Sequence, residues 1–156
     1  MTGIVCVHDK TIFSPARGRA CIAFSIDVLD MQPIEPGGWR VPSRFQTVDA
    51  CPFVLEAEGG ERVLVDSAFV ELVDVPVEHV AGEHFSREHW ENYCLDRGLH
   101  AQEANEGVVV PGERVTVVGI VERRLVPPGR ESGFRDSGST VALVGDFDHP
   151  VLVQRA

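Results

Sequence analysis

Lysine is nearly missing from this chain. Lys10 is the only one, and it stands in no Gly-x-x-x-x-Gly-Lys phosphate loop. No Gly-x-Gly-x-x-Gly turn replaces it, so the common nucleotide-binding signatures are absent. No serine lies in Gly-x-Ser-x-Gly, and Ser132 and Ser139 fall in a Gly/Ser/Arg-rich loop over residues 129–140. Cys6, Cys21, Cys51 and Cys94 form no Cys-x-x-Cys pair, and such scatter fits reduced thiols in a cytoplasmic protein better than a disulfide framework. Apolar runs stop at strand length, as over residues 115–121, well short of the roughly 20 needed to cross a bilayer. The first residues are apolar only until His8, Asp9 and Lys10, too short a stretch for a signal peptide. Membrane insertion by this chain is therefore not expected.

Acid is what the chain has in excess. Its 156 residues carry 24 Asp+Glu against 14 Lys+Arg, a formal charge of −10. That balance excludes a nucleic-acid partner held by phosphate neutralisation, and docking on an anionic membrane surface. The charge is also uneven. Residues 71–106 hold nine acids (Glu71, Asp74, Glu78, Glu83, Glu88, Glu91, Asp96, Glu103, Glu106) against Arg87 and Arg97, so −7 of the −10 lies there. Four of the six histidines (His79, His84, His89, His100) share the segment. This shift predicts an acidic, His-rich helical insert at about 74–106 within one β domain covering 1–156.

The remainder is written in β-formers punctuated by Gly and Pro. Residues 3–7, 20–29, 44–48, 53–57, 62–65, 108–110, 114–121, 141–144 and 151–153 read as strands. Gly59-Gly60 joins the clearest hairpin, and Pro111-Gly112 predicts a type II turn. Gly119 inside an apolar strand predicts a bulge or bend that helps a sheet curl. Residues 33–42, with three prolines and two glycines, predict a loop. Seven or so short strands give a mainly β fold: a small antiparallel, partly closed OB-like barrel or a sandwich.

One helix interrupts this pattern. Ser86 caps it, Phe85 and Trp90 form a hydrophobic staple, Trp90, Tyr93, Cys94 and Arg97 follow at helical spacing, and Gly98 stops it. The Glu-His pairs at 78–79, 83–84 and 88–89, with Cys94 after them, invite a zinc reading through His79, His84, His89 and Cys94. Helical geometry resists it, because steps of five residues advance about 140° and leave successive pairs on different faces. Solvated surface residues are the commoner outcome. Residues 146–149 read as a polar turn, Asp27 and Asp30 as solvated residues where a strand ends at a loop, Arg17 and Arg19 as a solvated turn that could hold an anion, and Cys21 and Cys51 as buried thiols. Trp39 and Trp90 take core or staple roles by default.

Four turn motifs in order resemble the GIDE-type, or beside-a-membrane, domains of membrane-anchored RING E3 ligases and their prokaryotic relatives. They are Ser14-Pro15 with Gly18-Arg19-Ala20-Cys21, Phe53-Val54-Leu55-Glu56-Ala57-Glu58-Gly59, Arg62-Val63-Leu64-Val65-Asp66, and Val110-Pro111-Gly112-Glu113-Arg114-Val115 running on to Gly119. With the closing strands, the resemblance covers about residues 3–153. It departs at Ala57, where the family usually carries Asp, and in the missing RING pattern and flanking membrane helices. The resemblance implies a regulatory or interaction module without catalytic residues or cofactors. The resulting expectation is a non-enzymatic binding or scaffold module. Its partner is a protein, which could be membrane-associated, and its surface is the insert helix at Glu88, Trp90, Glu91 and Tyr93. Two alternatives stand beside it: a metal sensor or metal-dependent hydrolase on the insert histidines, and a structural homo-oligomer subunit.

Overall fold

The structure is a computed structural model that describes residues 1–31, 42–125 and 139–156. The expectations for the 33–42 loop, Trp39 and Ser132 fall outside the described residues. The strands are β1 (Thr2–Val7), β2 (Ile12–Phe13), β3 (Ala20–Cys21), β4 (Ala23–Asp30), β5 (Ser43–Ala50), β6 (Phe53–Glu56) and β7 (Arg62–Val65). After β8 (Val70–Val73) and β9 (Val77–Ala81) come a 3-10 turn (Gly82–His84) and α1 (Arg87–Arg97). Next are β10 (Glu103–Val109), β11 (Arg114–Val118), β12 (Ile120–Leu125), β13 (Ser139–Val144) and β14 (Val151–Arg155). The described residues are mainly β with one α-helix, as the punctuation of the sequence implies.

Eight strands in the order β12-β13-β7-β6-β1-β11-β14-β8 form a strongly curled half-barrel. Its curl is visible in the connectivity. β11 sits five strands from β12 in that order, yet only Gly119 separates the two in sequence. A Cβ on Gly119 would lie 3.2 Å from the Val144 carbonyl and 3.3 Å from Val151, so the bend needs a residue without a side chain. Inside the curl Val5, Phe53, Leu55, Val65, Val117, Val151 and Val153 are fully buried. The 53–65 hairpin pairs as expected, Phe53 opposite Val65 and Leu55 opposite Val63, with Gly60 at φ 80°. The Pro111-Gly112 turn closes with Glu113 N–H donating to the Val110 carbonyl at 3.2 Å, and Gly112 has φ 88°. Two pairs, β13 with β7 and β14 with β8, are parallel where an antiparallel barrel was expected. Each joins strands far apart in sequence, so no hairpin dictates their direction.

The second sheet runs β5-β4-β10-β9, antiparallel throughout. It corrects the picture of an appended helical insert at 74–106. That segment supplies β9 and most of β10, so two of the four strands come from it. The strand character of β9 is hidden in sequence because it is an edge. In Val-Glu-His-Val-Ala only Val80 is buried, and no alternation shows. One face of this sheet carries Phe24, Ile26, Val28, Val80 and Ala104, and α1 covers it with Trp90 and Tyr93.

The helix follows its predicted ends. Phe85 stacks on Trp90 with ring centroids 4.5 Å apart, which is the staple in place. Gly98 is left-handed at φ 62°, its N–H donates to the Leu95 carbonyl, and Leu99 N–H reaches the Cys94 carbonyl at 2.9 Å. Ser86 differs from expectation, since its hydroxyl pairs with His89 Nδ1 at 2.9 Å and caps no backbone N–H.

Candidate functional site

Two places on the second sheet combine polar chemistry with unusual burial. The first is Glu106. It sits on β10 opposite Ile26 of β4 and Glu78 of β9, so its side chain shares the apolar face of the sheet. Only 3% of it is exposed. Its carboxylate is held by the turn at residues 14–19, where Ser14 Oγ–H donates to Oε2 at 3.1 Å and the Ala16 N–H to Oε1 at 2.7 Å. Burial pushes the carboxyl above its ordinary value of 4.5, against the lowering pull of these donors and of Arg19.

The same turn braces α1. Ser86 N–H donates to the Ala16 carbonyl at 2.7 Å. Gly18 has φ 65°, and a Cβ there would lie 2.7 Å from Ser86 Oγ and 2.8 Å from His89 Nδ1. Gly18→Ala should therefore cost about 1–3 kcal/mol, from positive-φ strain and the forced shift of two packed side chains. A urea titration followed by Trp fluorescence checks it. Arg17 and Arg19, read as a solvated turn that could hold an anion, are engaged instead: Arg17 Nε lies 3.2 Å and Arg19 Nη1 3.3 Å from the Glu78 carboxylate. Nothing in the sequence pattern marks Glu106 among its eight acidic neighbours; only the register that turns it inward does.

The second place is a groove of about 680 Å³ beside α1, with Leu29, Met31, Trp90, Leu95 and Leu99 among its lining. Leu29 and Leu95 are 59% and 80% exposed. Glu91 and Glu103 stand on its walls. Asp30, between the lining residues Leu29 and Met31 in sequence, is buried and accepts the His100 N–H at 2.7 Å, which ties the end of β4 to the segment after α1.

The residues singled out in sequence divide. Glu88 and Glu91 lie on the exposed side of α1. Trp90 and Tyr93, expected at a partner surface, are 7% and 8% exposed and belong to the second core, because the sheet that α1 covers is apolar beneath them. Trp90 keeps only an edge on the groove. The Tyr93 hydroxyl is buried without a hydrogen-bond partner among the described residues, and burial pushes it up to about 12.

The metal reading finds no support in the geometry. His79 pairs with Asn105 at 3.2 Å, His89 with Ser86, and Cys94 is a half-buried thiol on the groove. No group of three or more His, Cys, Asp or Glu among the described residues, His84 included, is placed to hold a metal ion. The loop over residues 146–149 is a closed polar turn, with Asp146 Oδ1 accepting the N–H groups of Asp148 and His149 at 3.0 and 2.7 Å. Those bonds hold the Asp146 carboxyl below its ordinary range. Asp27 is likewise lowered, by its hydrogen-bonded pair with Arg44 at 2.7 Å. Cys21 and Cys51 are buried thiols, and burial pushes Cys21 up to about 12.

No helix among the described residues is long and apolar enough to cross a membrane. No family model, curated protein or solved structure matches the chain.

Proposed function

We propose that this chain is a non-enzymatic binding or scaffold module of the GIDE type, and that it holds a protein partner in the groove beside α1. The observation that carries this reading is the pair Leu29 and Leu95, two large apolar side chains left mostly in water on the same groove. Burying a leucine fully yields about 1.5–3 kcal/mol, so covering both offsets part of the cost of association. The four ordered turn motifs support the GIDE part of the reading.

Moving the surface from Trp90 and Tyr93 to Leu29 and Leu95 changes the residues to test. A partner found by crosslinking from position 95, then purified, should bind the Leu29→Ala/Leu95→Ala protein about 10- to 100-fold more weakly by calorimetry. Both residues are exposed, so the variant should unfold within about 0.5 kcal/mol per site of the parent. Equal affinity for the parent and the doubly substituted protein excludes the groove as the binding surface.

A further inference from the structure

We infer that the occupant of the α1 groove is a cationic, amphipathic segment of another protein. Its apolar side chains would lie along Leu29 and Leu95, and its Lys and Arg residues would face Glu91 and Glu103. This rests on the reading of the groove as a partner site and adds the chemistry of what enters it.

The groove has two kinds of lining. Its apolar lining is made by Leu29, Met31, Trp90, Leu95 and Leu99. In the same lining, Glu91 projects from α1 and Glu103 from the start of β10. Glu88 and Asp96 add charge on the exposed side of the same helix. The bases of this region cancel only part of that charge. Arg87 pairs with Glu91 itself at 3.2 Å and the Arg97 guanidinium lies over the Tyr93 ring, 3.8 Å from its centroid, so two cations stand against Glu88, Glu91, Asp96 and Glu103 and leave a net −2.

An apolar lining with acidic members is the complement of a segment with one apolar and one basic face, the helix-in-groove mode of recognition. The acid-rich surroundings would raise the encounter rate with a cation and repel acidic or phosphate-bearing partners. Within a Debye length of about 8 Å that discrimination survives physiological salt.

The test uses three labelled synthetic peptides and fluorescence anisotropy on the full chain. One is a Leu/Lys helix with an apolar face, the second has the same composition scrambled so that no face forms, and the third replaces Lys by Glu. The Leu/Lys helix should bind at least about 10-fold more tightly than the scrambled peptide. Leu95→Ala should weaken it about 10-fold. Glu91→Gln with Glu103→Gln should weaken it about 3- to 10-fold and flatten its salt dependence.

Binding of the Leu/Lys helix that neither variant changes would be general attraction to an acidic protein, and it overturns the inference. Binding of the Leu/Glu helix that Leu95→Ala weakens overturns the cationic occupant but leaves the groove as a partner site. If none of the three peptides binds in a Leu95-dependent way, both readings fall. A concentration-dependent dimer that Leu95→Ala dissolves, seen by light scattering, assigns the groove to a second copy of this chain and overturns the cationic occupant.

Discussion

Glu106→Ala should lower the unfolding free energy by about 2–4 kcal/mol, measured by urea denaturation at neutral pH. The loss has a specific origin. Removing the carboxylate strips the Ser14 hydroxyl and the Ala16 N–H of their acceptor in a place closed to water, and each orphaned donor costs about 1–3 kcal/mol. The relief of an ionised carboxylate held at 3% exposure offsets part of this, so the net falls below the sum. The damage should be local as well as global. Amides of residues 14–19 and the first turn of α1 should lose hydrogen-exchange protection before those of β6 and β7, because the turn bonds Ser86 at the start of the helix. Uniform loss across both sheets would show that Glu106 acts on the whole fold instead of through the turn.

The pH dependence of the same residue has a definite sign. The folded chain holds the Glu106 proton more tightly than the unfolded chain, because burial raises the carboxyl above 4.5. Its contribution to stability is therefore fully present below 4.5 and is lost as pH rises through the higher folded value. Wild type should gain stability relative to Glu106→Gln as pH falls through that window, since Gln does not titrate. Paired denaturation midpoints from neutral pH down to 4.5 check this. A gap that widens in the opposite direction, with the Gln variant gaining in acid, refutes the burial argument.

Trp90→Ala should cost about 3–5 kcal/mol, enough to unfold a chain of ordinary stability. Trp90 is stacked between Phe85 and Tyr93, with centroids at 4.5 and 6.1 Å, and only 7% of it meets solvent. Leu95→Ala, one and a half turns further along the same helix, should change stability by no more than about 0.5 kcal/mol. The contrast separates a core tryptophan from a surface anchor. A soluble, cooperatively folded Trp90→Ala protein of near wild-type stability would return Trp90 to the partner surface that its position in an acidic segment first suggested.

Much of the local architecture was legible because it depends on a few neighbouring residues. Gly59-Gly60 and Pro111-Gly112 announce their turns through the backbone angles they permit, and Phe85, Trp90 and Gly98 announce the two ends of α1. Gly119 announces the bend between β11 and β12. The segment 74–106 misled for the same local reason. A dense run of acids and histidines reads as a solvated appendage, yet edge strand β9 is built from such residues, with Val80 alone reaching the core.

The candidate site was much less visible. Glu88 and Glu91 kept their exposed place, while Trp90 and Tyr93 turned inward. Which face of a helix meets the core depends on what lies opposite, and the opposite face here is Phe24, Ile26 and Val28, some sixty residues earlier. Glu106 shows the limit most clearly. Its composition places it with eight acids of the same segment, and only cross-strand register with Ile26 and Glu78 puts it under the 14–19 turn.

The sequence by itself determined a mainly β fold with one helix, its tight turns, and an acidic balance concentrated in one segment. Those properties follow from backbone freedom at single residues and from summed charge. Tertiary structure alone decided that two acidic-segment strands complete the second sheet, that one carboxylate among nine is buried, and that Leu29 and Leu95 share a groove. Each of those depends on pairings between residues distant along the chain, whose register no local composition encodes.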